Sequence, residues 1–377
     1  MAANPLVELY KAGQSFWYDN ISRGMITSGE LKQLISEDGV RGITSNPSIF
    51  YKAIKDGTGY DTRLSELFIN TALSAKEILY ELEISDIASA ADALLPIFKS
   101  SKGVDGYISM EVDPHFAYDT DKTVAEAREI FKLIGRENVM IKVPATKEGL
   151  PAITQLTAEG YNVNATLLFS PVRYSEVVNS YFDGLIKRLD AGGSINSIVS
   201  VASFFISRID TAVDKILDMR IDNALNDAEK EWAESLKGNA AVASAKTAYQ
   251  TMIVLFSSER FIELKHKGGN IQRLLWASTS TKNPSYSDCL YVDSLIGPNT
   301  INTMPVDTVK AFKDHGKVSR TIDAGLKEVD ETLNSLTDLN INLEAVTQTL
   351  EDEGVKLFID AFDALIHLIE DKRGRAG

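Results

Sequence analysis

Two short stretches decide the fold: Ile108-Ser109-Met110-Glu111-Val112-Asp113 and Asn162-Val163-Asn164-Ala165-Thr166-Leu167. In the first, even-numbered positions are apolar and odd ones polar; in the second the parity is reversed. Side chains alternate across a strand, so each stretch presents one apolar and one polar face. Similar β-rich runs occur over 15–19, 42–46, 106–113, 139–144, 162–169, 198–205, 273–280 and 300–304. Segments of helical period separate them over 28–37, 62–100, 123–133, 149–159, 171–190 and 244–267. Eight runs in β-then-α order make a parallel sheet, and eight strands close a barrel. The expectation is an α/β protein, a (β/α)8 TIM barrel over residues 1–377 as one domain. The rival is an open doubly wound sheet, whose strands would read as longer all-apolar runs. Under a barrel's coat of helices, the polar faces have only an internal cavity to line.

Composition bounds the partners. The 377 residues are 44% hydrophobic and 24% charged, enough for a large core. Lys and Arg number 39 against 53 Asp and Glu, a net charge of -14, with no basic run. Such a chain repels nucleic acid and anionic membranes. One cysteine, Cys289, cannot form an intramolecular disulfide and suits a reducing compartment. The start, MAANPLVELYKAGQSFWYDN, lacks the basic-then-apolar layout of a signal peptide. No stretch approaches the roughly 18 to 20 apolar residues of a membrane helix. The expected location is the cytoplasm. The charged stretch 218–239, with Glu229, Lys230, Glu231 and Glu234, reads as a solvated helical insertion after the sixth strand. Beyond Pro305, helical patterns over 306–316, 318–336 and 342–372 exceed what an eighth unit needs. The excess is expected to pack over the barrel. No sequence feature selects an oligomeric state.

Candidate chemistry gathers at strand ends. Lys142 lies mid-strand in Val139-Met140-Ile141-Lys142-Val143. Pointing inward, it would be desolvated, which disfavours its charged form and makes an amine nucleophile. A structural lysine paired with a carboxylate is the alternative, and Glu111 on the preceding strand is the partner or proton donor within reach. Asp19 ends the first strand and Asn46 the second, where turn or cap roles compete. Asn164 and Thr166 share the polar face of the fifth strand. All sit toward C-terminal strand ends, where barrel enzymes build their sites. For anions there is Arg208, after the sixth strand, with a salt bridge to Asp210 or Asp214 as the competing role. After the seventh strand comes Ser278-Thr279-Ser280-Thr281-Lys282-Asn283. The histidines His115, His266, His315 and His367 show no metal-ligand spacing, so no metal and no cofactor are expected. Walker A, GxGxxG and GxSxG signatures are absent from the sequence.

The motifs resemble those of the transaldolase family. They stand as Gly42-Ile43-Thr44-Ser45-Asn46-Pro47-Ser48-Ile49-Phe50, Ser109-Met110-Glu111-Val112-Asp113 and Ile141-Lys142-Val143-Pro144-Ala145-Thr146-Lys147-Glu148-Gly149. Asn164-Ala165-Thr166-Leu167-Leu168-Phe169-Ser170 and Ser200-Val201-Ala202-Ser203-Phe204-Phe205 follow in the family's order. Chain length and Trp276-Ala277-Ser278 are similar to the longer bacterial branch. The resemblance implies that Lys142 forms a Schiff base, Asp19 deprotonates a C4 hydroxyl, and Glu111 works through a water that Thr166 helps to hold. It implies that Asn46 and Asn164 bind the dihydroxyacetone unit, with Ser203 in the same substrate-binding set. Arg208 and Ser278 match phosphate-binding positions. Where the family carries an arginine two residues after that serine, this chain has Ser280, and Lys282 is the candidate replacement. The implied reaction moves dihydroxyacetone from sedoheptulose 7-phosphate or fructose 6-phosphate to glyceraldehyde 3-phosphate or erythrose 4-phosphate, in the pentose phosphate pathway. A Schiff-base fructose-6-phosphate aldolase and a non-catalytic sugar-phosphate-binding protein are the alternatives.

Overall fold

The computed structural model describes residues 4–56, 59–69 and 72–376. Eight parallel strands pair in sequence order and close on themselves. They are β1 (Gln14–Tyr18), β2 (Gly42–Ile43), β3 (Tyr107–Glu111), β4 (Val139–Pro144), β5 (Val163–Leu168), β6 (Ser200–Phe205), β7 (Arg273–Ala277) and β8 (Thr300–Met304). The ring is sealed by β1 against β8, from Gln14 opposite Thr300 to Tyr18 opposite Met304. Closure removes both sheet edges and excludes the open doubly wound alternative.

Register explains the parity seen in the sequence. Partners on adjacent strands point to the same side of a sheet. Gly42 pairs with Tyr107, Glu111 with Lys142, and Lys142 with Asn164. Glu111, Lys142 and Asn164 therefore share one level of the inner face. At the base, Trp17 fills the interior because β2 offers Gly42 there: a Cβ on Gly42 would lie 2.4 Å from the indole. The inner face is packed with side chains, and an opening lies near the C-terminal strand ends.

Several helices differ from the expected spans. The run over 28–37 divides into Arg23–Ser28 and Glu30–Glu37, because Gly29 takes a left-handed φ of 86° between them. The run over 62–100 divides into Asp61–Ile69 and Ala75–Ser100; Ser74 and Glu77 form a capping box that starts the second. Residues 70 and 71, inside that expected run, lie outside the described residues. The run over 244–267 belongs to Ala240–Phe256 and Glu259–His266, divided where Ser258 caps the second. The run over 318–336 becomes helical only at Leu326. Strand β2 stops at Ile43, since Asn46 turns to cap the helix Pro47–Lys55. The stretch 218–239 is not wholly solvated: its first residues finish the helix Ser207–Asp222. Its second part, Asp227–Leu236, buries Ala233 and Leu236.

The excess helix at the end of the chain does pack over the barrel. Leu343–Ala376 runs for 34 residues and touches the end of β5 and the helices Pro47–Lys55, Ala75–Ser100 and Ser207–Asp222. Val355, Phe358, Phe362, Leu365 and Ile369, at helical spacing, form its buried stripe. Polar pins hold its length: Glu344 to the Ser170 hydroxyl at 2.9 Å, Glu351 to Arg173 at 3.2 Å, and Asp363 to His115 at 3.3 Å. Gly354 lets it sit close, for a Cβ there would meet Leu167 at 3.1 Å.

Candidate active site

A cavity of about 210 Å³ opens among the C-terminal ends of the strands. Asp19, Asn46, Lys142, Thr166, Ser203, Arg208 and Ser278 line it, joined by Thr44, Ser48, Phe205, Thr303 and Phe358. Strand geometry brings these groups together from across the sequence. β4 is an apolar run, so it is buried; its parity turns Lys142 inward, where the residue is 4% exposed. The ammonium lies 2.5 Å from Glu111 Oε1 and donates to the Ser45 carbonyl at 3.0 Å. Lys142 is thus a paired buried lysine, and it also faces the cavity. The carboxylate pairing weighed from the sequence is present, and it leaves the side chain on the cavity wall.

Burial raises the Glu111 carboxyl above its ordinary range; Lys142 pulls it down and Asp19 pushes it further up. Two carboxylates beside one ammonium cannot all be charged cheaply in a dry site. Asp19 is likewise raised, first by burial, with the Thr44 hydrogen bond and Lys142 opposing. The Thr44 hydroxyl donates to Asp19 Oδ1 at 2.6 Å, and the Thr303 hydroxyl lies 2.6 Å from Thr44. Asp19 takes no helix-cap role: Ser22 caps the following helix. Asn46 both caps its helix, accepting from the Ile49 amide at 3.0 Å, and lines the cavity.

Asn164 lies beneath the cavity wall. Its amide donates to Ser109 at 3.0 Å, and its carbonyl accepts from Ser203 at 2.7 Å. It holds Ser203, which lines the cavity. Among the described residues the buried hydroxyl of Thr166 has no hydrogen-bond partner. Next to it, Leu167 takes a φ of 56°, where the β5–β6 register shifts. Ser278 takes the same left-handed value, with its hydroxyl 3.0 Å from that of Ser207. Such backbone is costly for non-glycine residues and collects at functional sites.

Arg208 is free of the salt bridges weighed for it. Asp210 accepts from the Ala241 amide and the Tyr291 hydroxyl; Asp214 accepts from the Gly238 amide and the Tyr286 hydroxyl. Among the described residues no carboxylate pairs with Arg208, whose guanidinium lies 5.7 Å from the Phe205 ring centre. Burial lowers its pKa, opposed by Glu353. Lys282 is elsewhere: its ammonium donates to Ser280 at 2.7 Å, and it lines two surface depressions outside this cavity. The guanidinium and the Ser278 hydroxyl therefore face the cavity without Lys282.

Thr44, Ser48, Phe205, Thr303 and Phe358 had no role in the sequence reading. Thr44 and Ser48 flank Asn46, and Phe205 shares parity with Ser203, so their signals were present. Phe358 had none; only tertiary packing brings the last helix to Lys142, whose ammonium lies 5.8 Å from that ring. The fold also gathers Asp288, Cys289 and His315, with ligand atoms within 4.8 Å of one another. Burial and the two nearby carboxylates push the Cys289 thiol up to about 12. His115 pairs with Asp113 and Asp363 and does not line the cavity.

Comparison with known proteins shows the family. The profile of the transaldolase/fructose-6-phosphate aldolase family matches residues 16–369. A transaldolase of Trichodesmium erythraeum is 46% identical over 374 residues, 99% of this chain and 98% of that one. A transaldolase of Mycobacterium tuberculosis is 44% identical over 368 residues, 97% of this chain and 96% of that one.

Proposed function

This chain belongs to the transaldolase/fructose-6-phosphate aldolase family, and we propose that it is a transaldolase acting through a Schiff base on Lys142. The observation that carries the reading is the buried Lys142–Glu111 pair at 2.5 Å, in the wall of a cavity that Asp19 and Arg208 also line. An amine attacks a ketone only when neutral. The Glu111 carboxyl, raised by burial, is the acceptor nearest to the ammonium.

On this reading, neutral Lys142 attacks the C2 ketone of sedoheptulose 7-phosphate or fructose 6-phosphate. Glu111 supplies the proton with which the carbinolamine hydroxyl leaves as water, giving the iminium. The unpartnered Thr166 hydroxyl is suited to holding a water in that transfer. Asp19 takes the C4 hydroxyl proton, the C3–C4 bond breaks, and the electron pair moves into the iminium to form an enamine. The aldose phosphate leaves. The enamine then adds to glyceraldehyde 3-phosphate or erythrose 4-phosphate, and reversal of the first steps frees Lys142. Asn46, Ser203 and Asn164 are the hydroxyl-binding set; Arg208 and Ser278 take the phosphate. No helix of the described residues is long and apolar enough to cross a membrane, and we place the enzyme in the cytoplasm.

The test is reduction with borohydride in the presence of fructose 6-phosphate, followed by peptide mass mapping. The adduct is expected on Lys142; a modified peptide elsewhere, or none, sinks the mechanism. Lys142→Arg should fold normally yet give no adduct, since the guanidinium stays charged. Without an acceptor aldehyde the enzyme should release little free dihydroxyacetone. Rapid release would assign it to the aldolase side of the family.

A further inference from the structure

A second cavity lies at the other end of the barrel. It encloses about 580 Å³ beneath the N-terminal strand ends, between the close of the helix Ala75–Ser100 and the starts of β6 and β7. Ligand sites for small organic molecules span roughly 300 to 1,000 Å³, so this one has ligand size. Its walls are aromatic. Phe98 and Tyr107 meet edge to face with ring centres 5.3 Å apart. Gly106 permits that approach, since a Cβ there would fall 2.3 Å from the Phe98 nitrogen. Tyr107 and Phe261 are each 1% exposed, with Phe261 stacked on Phe182 at 5.4 Å, so Phe98 is the ring most open to this space.

Its charge inverts that of the protein. The chain carries -14 overall, yet Lys99, Lys102, Lys265 and Arg273 line this cavity and no Asp or Glu is among its described lining residues. Among the described residues none of the three lysines forms an ion pair. Arg273, 8% exposed, is held by Asp105 at 3.1 Å and by the Val104 carbonyl at 3.1 Å, and its Nε is buried without a partner. Asp105 is shared with Arg41 at 2.7 Å, so one carboxylate answers two guanidiniums.

We propose that this chamber is a second ligand site, for a small organic anion with a flat apolar body. The body lies against the half-buried Phe98 ring and the apolar floor of the cavity. The phosphate or carboxylate sits among Lys99, Lys102 and Lys265 at the rim. The chamber is independent of the Schiff-base reading, because none of its residues touches the Lys142 cavity.

Two probes separate the head groups: adenosine 5′-monophosphate for phosphate and 2-naphthoate for carboxylate, each titrated calorimetrically into the full chain. At least one should bind, and high salt should weaken it, since the rim charges are exposed and screened. Adenosine, which lacks the anion, and inorganic phosphate, which lacks the body, should each bind at least about tenfold more weakly. The triple substitution Lys99→Gln, Lys102→Gln, Lys265→Gln should weaken the probe about tenfold or more and leave the melting temperature unchanged. Arg208→Ala, in the other cavity, should not alter it. Failure of both probes, equal binding of phosphate or adenosine, or an unaffected triple variant would each overturn the proposal. Loss of probe binding in Arg208→Ala would do so too, by assigning it to the phosphate end of the Lys142 cavity.

Discussion

The two ends of the barrel use the same residue types in opposite ways. At the base, polar groups are tied to one another: Ser15, Trp17, Arg41 and Arg273 all donate to the fully buried Asp105, and Gln14 donates to Thr300 and to the Leu295 carbonyl. At the mouth, the groups facing inward are left partly uncommitted. Thr166 has no partner, Arg208 has no carboxylate, and Glu111 and Asp19 are both raised by burial beside a single ammonium. The base ties its charged side chains to one shared carboxylate, Asp105. The mouth holds charges in tension, which is what proton transfer needs.

The comparison breaks most sharply at Glu111. On the proposed mechanism, Glu111→Gln should lower kcat by about 10²- to 10⁴-fold, the usual worth of a positioned acid–base group. A coupled assay of the released aldose phosphate measures it, and a near-normal rate would move Glu111 to the structural class. Asp105→Asn probes the other end. Removing one partner of a buried ion pair costs about 3 to 5 kcal/mol, read by urea unfolding. Borohydride trapping per folded molecule should stay unchanged, and a lost adduct would show that the ends are not separable. The smallest effect belongs to Asp210, on the helix that carries Arg208. Burial raises its carboxyl to about 6, above its unfolded value, so the folded state holds a proton that the unfolded chain releases. Stability from this group thus rises as pH falls from about 6 toward the unfolded carboxyl range. Asp210→Asn, uncharged throughout, should be more stable than the native protein by about 1 to 2 kcal/mol at neutral pH. That margin should vanish on acidification; a margin independent of pH would refute the assignment.

The barrel was legible because its signal is local. Alternation within five or six residues tells which face of each strand is polar, and closure follows from eight such strands. Lys142, Glu111, Asp19 and Thr166 were legible for the same reason. Helix limits were less so: Gly29 and the Ser74–Glu77 box divide runs whose hydrophobic period continues across the break. Lys282 illustrates another limit. Its spacing after Ser278 suggested a second cation for the phosphate, but side-chain direction after a left-handed Ser278 is not encoded by spacing, and its ammonium turns to Ser280. Phe358 is the extreme case, since no local pattern marks a helical residue as the wall of a site built from strands.

That wall has a consequence in time. A chain leaves the ribosome from its N-terminus, and every strand precedes the helix Leu343–Ala376. The ring can close while the segment bearing Phe358 is still in the exit tunnel. Lys142 is then in place before its neighbour at 5.8 Å arrives. The cavity acquires its final shape only once that helix docks, so a nascent chain with a finished barrel still lacks one wall of the site.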